Sequence, residues 1–486
     1  DLQWSKDGNF QSLRRLQAAK RTTISLNHIQ STVDILVGFE RQNRFDLKAT
    51  PEGSEDAESA RIISWLLKFA ANQAGLPHAE SEMFEDGVIR GASAIEVGVD
   101  WTEDPFNGVI TTDVLRVGRD VIWDPYWRKN DLSDARFVLK YRWVYVDELL
   151  ALYPERAKAL QAGIGVLEAM FSPFMSTDGG TQDAYGSVSD HVNELQAESL
   201  FYSPADRRML VVEAWWREFE PTWIVANTST GKQLTVEDRA QALEIARVDP
   251  DNWRVIKRYV RRVQTAVVLP ATRQVLEEGP SPYTNDAGHY PIVPFIAKRK
   301  GNHLYGIVRN MKDPQMVENK RISQVLDILA RWANIRPMYP KGSLDDPRTI
   351  EDQHSTAPIA YTPGMPPGWY VPAGLDVIAR GLIEIAVQMK FAMREVTGIN
   401  TDLLGVKADD ASGIAIARRQ AQGQIIATVF FDNFKLARMI IGQRMARRIQ
   451  QVYTTEQVLR LIDPDTGEHV RVLLNPAEAR DMDPDR

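Results

Sequence analysis

The chain has 486 residues, 44% of them hydrophobic and 25% charged, with a formal net charge of −7. That length implies several lobes, and the acidic total excludes a protein that coats itself in nucleic acid. Cysteine is absent, which excludes disulfides and thiolate zinc sites and fits assembly in a reducing cytoplasm.

In chain order, residues 12–30 mix apolar and basic positions at helical spacing. Residues Asp56–Asn72 follow Glu52 and Glu55, acids that suit a helix N-terminus. From Met83 to Tyr145, "GASAIEVGVDW" and "GVITTDVLRVGRDVIWDPYW" alternate and predict strands. A short helix is expected over Asp147–Leu160, and a loop-like zone over Gly163–Asp206, rich in Gly, Ser and Asp. Strands return in "RRMLVVEAWWREFE", "WRVIKRYVRRVQTAVVLP" and "HYPIVPFIAKRK". The fold class is α+β, with the first 305 residues read as one large α+β lobe.

The pattern then changes. Ile307–Asn334 has a helical period through Ile322, Val325, Leu326 and Leu329, with Pro314 placed near its beginning. Ile335–Val377 holds eight prolines and four glycines, too many for a long regular element, although "APIAYTP" and "GWYVP" suit edge strands of a small module. Ile378–Gly398 is helical again. The stretch "LLGVKADDASGIAIARRQAQG" follows, a polar loop opening a helix of about 40 residues, roughly 60 Å long. From Ala415 to Val452 the cations are Arg418, Arg419, Lys435, Arg438, Arg444, Arg447 and Arg448, against Asp432 alone. Such a helix suggests one basic surface on an acidic protein.

Chemical motifs are sparse. A phosphate loop needs GxxxxGK[ST], and neither "LLGVKADDASGIA" nor "STGKQL" (Ser229–Leu234) supplies it. Asp124, Asp131 and Asp134 in "WDPYWRKNDLSDARF" are the candidate ligands of a metal-dependent nuclease. Their competing reading is a capped turn between strands, announced by Asp124-Pro125. The seven histidines form no HExxH and no close pair. No catalytic residue, metal or cofactor is expected. The aromatics of "ATVFFDNF" and "VVEAWWREFEPTW" read as packing core. No apolar run approaches the roughly 18 residues that span a bilayer, so no membrane partner is expected.

Four stretches carry a family likeness: "IRGASAIEVGVDW" with "DPFNGVI", "VIWDPYWRKNDLSDARFV", "YPIVPFIAKRKGNHLYGIVRNMKDPQMVENKRISQVLDIL", and "MREVTGINTDLLG" with "ASGIAIARRQAQG". In this order the chain resembles the portal proteins of tailed bacteriophages, most closely those of short-tailed Salmonella-type phages, over Leu13–Thr455. The resemblance implies a portal fold: an α/β wing (1–305), stem helices (306–334 and 378–399), a clip (335–377) with Lys341 and Arg348, a tunnel loop (400–413) and a long wing helix (414–455). It places Lys407, Asp409, Asp410 and Ser412 in the tunnel loop and Arg418 and Arg419 at the start of the basic helix. Residues 456–486 would be wing strands and a tail, with the crown or barrel of many relatives either absent or lying beyond this sequence. The implied assembly is a ring of twelve subunits in the virion, assembled in the host cytoplasm. Its implied partners are double-stranded DNA, the packaging terminase, capsid and scaffolding proteins, and tail or adaptor proteins.

Overall fold

The computed structural model describes residues 24–44, 46–51, 57–102, 108–175, 201–203, 206–227, 233–236, 238–248, 252–283, 286, 288–333, 336–338, 362, 368–370, 375–397, 413–453, 457–462 and 469–474. The chain divides into two units, Asp1–Phe39 with Gly306–Val429, and Glu40–Tyr305 with Phe430–Arg486. Helix α1 (His28–Gln42) crosses that division.

In the larger unit, α2 (Ala57–Gln73) and α3 (Leu76–Arg90) precede β1 (Ala92–Asp100). Met83–Arg90 is therefore helical, not the strand that its apolar run suggests. Met83, Phe84, Gly87 and Val88 are all buried at helical spacing, and a run this short suits either period. The helix ends at Gly91, whose φ of 103° is left-handed and whose N–H reaches Gly87 O at 2.7 Å. A Cβ there would lie 2.3 Å from the Tyr305 backbone nitrogen, so glycine alone fits.

Strand β1 runs antiparallel between β2 (Val109–Leu115) and β10 (Ile292–Ile296), with Ala94 opposite Leu115 and Ala92 opposite Ile296. A second sheet has the order β3 (Val121–Trp123), β4 (Phe137–Tyr145), β6 (Arg208–Asn227), β8 (Trp253–Leu269), β9 (Gln274–Pro280); β5 (Tyr202–Ser203) and β7 (Gln233–Val236) also pair with β6. Pro221 is tolerated in β6 because it lies between the stretch that pairs β4 and the stretch that pairs β7.

One face of this sheet carries two cores. Val138, Trp215 and Val263 pack with Ala92, Ala94 and Ile296 of the smaller sheet. Val144, Met209, Val211 and Leu269 pack under α4 (Val146–Leu152) and α5 (Ala157–Met175). The expected single helix over Asp147–Leu160 is thus two, parted at Pro154. The expected loop zone from Gly163 is helical as far as Met175, through buried Ile164 and Leu167. Between the cores Lys140 lies opposite Glu213 and bridges it at 3.3 Å and Glu96 of β1 at 2.7 Å, stapling sheet to sheet. Burial opposes the Lys140 ammonium, but the two carboxylates overcome it and hold the group charged. A short helix, α6 (Arg239–Val248), packs on β6 and β8, and β11 (Arg299–Lys300) pairs antiparallel with β12 (His303–Leu304).

The smaller unit contains α7 (Val308–Ala333), β13 (Arg336–Met338), β14 (Gly368–Tyr370) and α8 (Leu375–Thr397). These helices agree closely with the periods read over Ile307–Asn334 and Ile378–Gly398. Pro314 lies inside α7, not in its first turn. Strands β13 and β14 pair antiparallel, bringing the end of α7 to the start of α8. Met311, Glu318 and Val325 of α7, and Ala379, Ala386 and Met393 of α8, are buried at every seventh position, the spacing of a narrow helix–helix seam.

Three polar side chains of α7 hold the segment before α1. Ser323 Oγ accepts from Ile24 N at 3.0 Å, Asn319 Oδ1 from Leu26 N at 3.1 Å, and Gln315 Oε1 from His28 N at 3.0 Å. Gln315 and Asn319 also donate to Leu26 O. Helix α9 (Gly413–Val452) has the length read from the sequence, 40 residues, and β15 (Gln457–Ile462) pairs with β16 (His469–Leu474). No helix among the described residues is long and apolar enough to cross a membrane.

Candidate functional site

Helix α8 is amphipathic in an unusual way. Its seam covers a narrow stripe and leaves large apolar side chains uncovered on both flanks. Ile383, Val387 and Phe391 recur every four residues along one flank, and Phe391 is 62% exposed. Ile378 and Val396, 52% and 46% exposed, stand about half a turn away on the opposite flank. An ordinary solvated helix places charge at such positions. Two separate apolar stripes on one hairpin are the chemistry of a surface that meets other protein on two sides.

The second half of α9 does the reverse. Its arginines are sunk into the larger unit and do not form a basic surface. Arg448 is fully buried and forks onto Asp286 at 2.6 and 3.1 Å, while its Nε donates to Val97 O at 3.1 Å. Its guanidinium also lies 3.6 Å above the Tyr283 ring, which stacks in turn on Trp215. Arg447 donates to Asp286 O, and Arg438 pairs with buried Glu80 at 2.9 Å. Burial pushes the Glu80 carboxyl up, with Arg438 pulling against it.

Burial also drives Arg444 down to about 10, with Asp286 opposing the shift and Arg447 and Arg448 adding to it. The same crowd acts on His289: burial, then Arg444, Arg447 and Arg217, hold its pKa at about 4. The expectation of one basic face is thus corrected for this half of the helix. Its counter-charges come from Glu80 and Asp286, far away in sequence. The aromatic reading of "ATVFFDNF" holds: Phe430 and Phe434 are buried, and Phe431 and Phe434 pack on Phe84. In "VVEAWWREFEPTW" Trp215 is core, but Phe219 is 62% exposed.

The three aspartates build a turn. Asp124 is buried and accepts from Tyr126 N and Arg136 N at 2.9 and 3.0 Å. Asp134 accepts from Arg128 N and Lys129 N, and Asp131 from Ser133 N. Leu132 takes a left-handed φ of 55°, a conformation that costs about 1 kcal/mol, and its side chain is fully buried. Arg217 gathers the carbonyls of Leu132, Ser133 and Ala135 while resting over Tyr290. These carboxylates are spent on backbone amides. No group of three or more His, Asp or Glu among the described residues could hold a metal ion.

The remaining sequence candidates fall elsewhere. Lys407, Asp409, Asp410 and Ser412, and Lys341 and Arg348, lie outside the described residues. Arg418 and Arg419 lie in the first two turns of α9. The α8 flanks were missed as a site, although their apolar residues at i, i+4 and i+8 are visible in "IEIAVQMKF".

A search among curated proteins finds no matching sequence. A family profile described as Phage P22-like portal protein matches residues 2–486, nearly the whole chain. The chain belongs to the P22-like phage portal protein family.

Proposed function

We propose that this virion protein is the repeating subunit of a ring at one capsid vertex. The ring passes double-stranded DNA inward during packaging and outward during ejection, and docks the packaging terminase and the tail. Within a portal family, the observation that carries this reading is the pair of apolar flanks on α8. Rings close through heterologous contacts, in which one surface of each subunit meets a different surface of the next. A single helical hairpin with two unlike apolar stripes offers both.

In this reading α7 and α8 form the stem, residues 335–377 the clip, 400–413 the tunnel loop, and the rest the wing. Lys407 beside Asp409 and Asp410 makes that loop mixed in sign, which suits weak, sequence-independent contact with a sliding duplex; a purely basic loop would bind phosphates tightly. The protein is structural and not an enzyme, in keeping with its family. The aspartates of the 124–134 turn, already spent on backbone amides, give a nuclease reading no support. Mass measurement and electron microscopy of the pure chain test the proposal. Closed rings with a central hole are expected, and a chain that stays monomeric under all conditions refutes it.

A further inference from the structure

The long strands β6 and β8 continue past β3, β4 and β9, with β7 following only β6, so β8 ends with an open edge. Its partner β9 covers only Gln264–Leu269, while β6 pairs along the other side as far as Trp253. Among the described residues, Trp253–Val260 have no strand on the outer edge. Natural edges are usually short or covered. This one spans about 27 Å at 3.4 Å per residue.

The side chains along it are unusual for solvent. Ile256, Tyr259 and Val260 are exposed, Tyr259 to 64%, with Phe219 beside them on β6. Arg254, Lys257 and Arg258 are interleaved and form no ion pair among the described residues, unlike neighbouring Arg262, which bridges Glu220 at 2.9 Å. Exposed aromatic and aliphatic groups mixed with arginine have the composition of a protein interface. A nucleic acid fits less well. One face of each of the Phe219 and Tyr259 rings is already taken by a cation, Arg261 at 5.5 Å and Lys257 at 5.0 Å, so a stacking base would compete with these contacts. The cations also alternate between the two faces of the strand, so they form no single phosphate track.

We propose that the β8 edge at Trp253–Val260 takes an extended acidic segment of a partner protein by strand addition. The partner's backbone pairs with the free edge. Its carboxylates meet Arg254 and Arg258 on one face and Lys257 on the other, and its apolar residues cover Ile256, Tyr259 and Val260. This inference is independent of ring formation.

The test uses the full chain and a short fluorescent peptide repeating Glu-Glu-Val-Val, which puts glutamate and valine on both faces of an added strand, followed by anisotropy. Binding is expected, weakened about tenfold or more in Arg254→Glu/Arg258→Glu and for a lysine–valine peptide of the same length. Methylating alternate peptide nitrogens should abolish it, because strand pairing is removed while charge is kept. A methylated or lysine peptide that binds equally well overturns the proposal. So does random duplex DNA that binds more tightly than the peptide and displaces it, which would make this a nucleic-acid surface. An Ile256→Ser/Tyr259→Ser variant, which leaves every charge in place, should also bind less, and unchanged binding counts against the apolar half of the contact.

Discussion

Replacing Arg448 with alanine tests whether the arginines of α9 anchor the helix. Removing one partner of a buried ion pair costs about 3–5 kcal/mol, because the other charge stays buried without its counter-ion. Here the carboxylate left behind is Asp286, and Val97 O loses a charged donor as well. Relief is available from Arg444, whose buried guanidinium already feels Asp286, so the expected loss lies near the lower end, about 3 kcal/mol. The double variant Arg448→Met/Asp286→Asn should be milder. It removes both charges, and the attraction and repulsion they exert on Arg444 disappear together. What remains is the orphaned Val97 carbonyl, worth about 1–2 kcal/mol. Urea unfolding below the self-association concentration, followed by tryptophan fluorescence, reads both. Trp215 is a suitable reporter because Tyr283 stacks between it and Arg448. A single variant that loses under about 1 kcal/mol, or a double variant as damaged as the single, would refute this account of the cluster.

Three further outcomes are expected. Phe391→Ser should leave the monomer folded but weaken self-association about tenfold in sedimentation, since an apolar side chain of this size contributes about 1.5–3 kcal/mol when fully covered. His289 resists protonation down to about 4, whereas an unfolded imidazole accepts a proton near 6.5. The unfolded state thus binds more protons between those values, and stability should fall as pH drops from 6.5 towards 4; thermal melts of His289→Gln should lose that part of the pH dependence. Asp409→Lys/Asp410→Lys should assemble normally but package DNA slowly at low salt, with partial rescue as salt is raised. Wild-type packaged length and rate at low salt would remove the loop from the DNA path.

The parts of the fold legible in the sequence were those set by local spacing. The 40-residue helix from Gly413, the two helices around the proline-rich stretch and the capped aspartate turn all follow from residues a few positions apart. The illegible parts depend on partners distant in the chain. Nothing near Arg448 announces that Asp286 neutralises it, so a row of buried cations reads as a basic surface. Apolar density around Met83–Arg90 gave no periodicity long enough to separate helix from strand, and Gly91, which ends that helix, is equally at home in a turn. The α8 flanks were visible as letters, but only the seam at Ala379, Ala386 and Met393 reveals which apolar residues remain uncovered.

The clasp between α7 and the segment before α1 imposes an arithmetic on the N-terminal region. Gln315, Asn319 and Ser323 advance about 6 Å per step along their helix, nearly the rise of two residues in an extended chain. They grip main-chain atoms at Ile24, Leu26 and His28, and of these three His28 is also held by its side chain, whose Nε2 lies 3.3 Å from Glu318 Oε1. Side-chain identity at 24 and 26 can therefore drift freely, while length cannot. Losing one residue from this stretch would turn each amide away from its acceptor, and losing two would bring the next set into place.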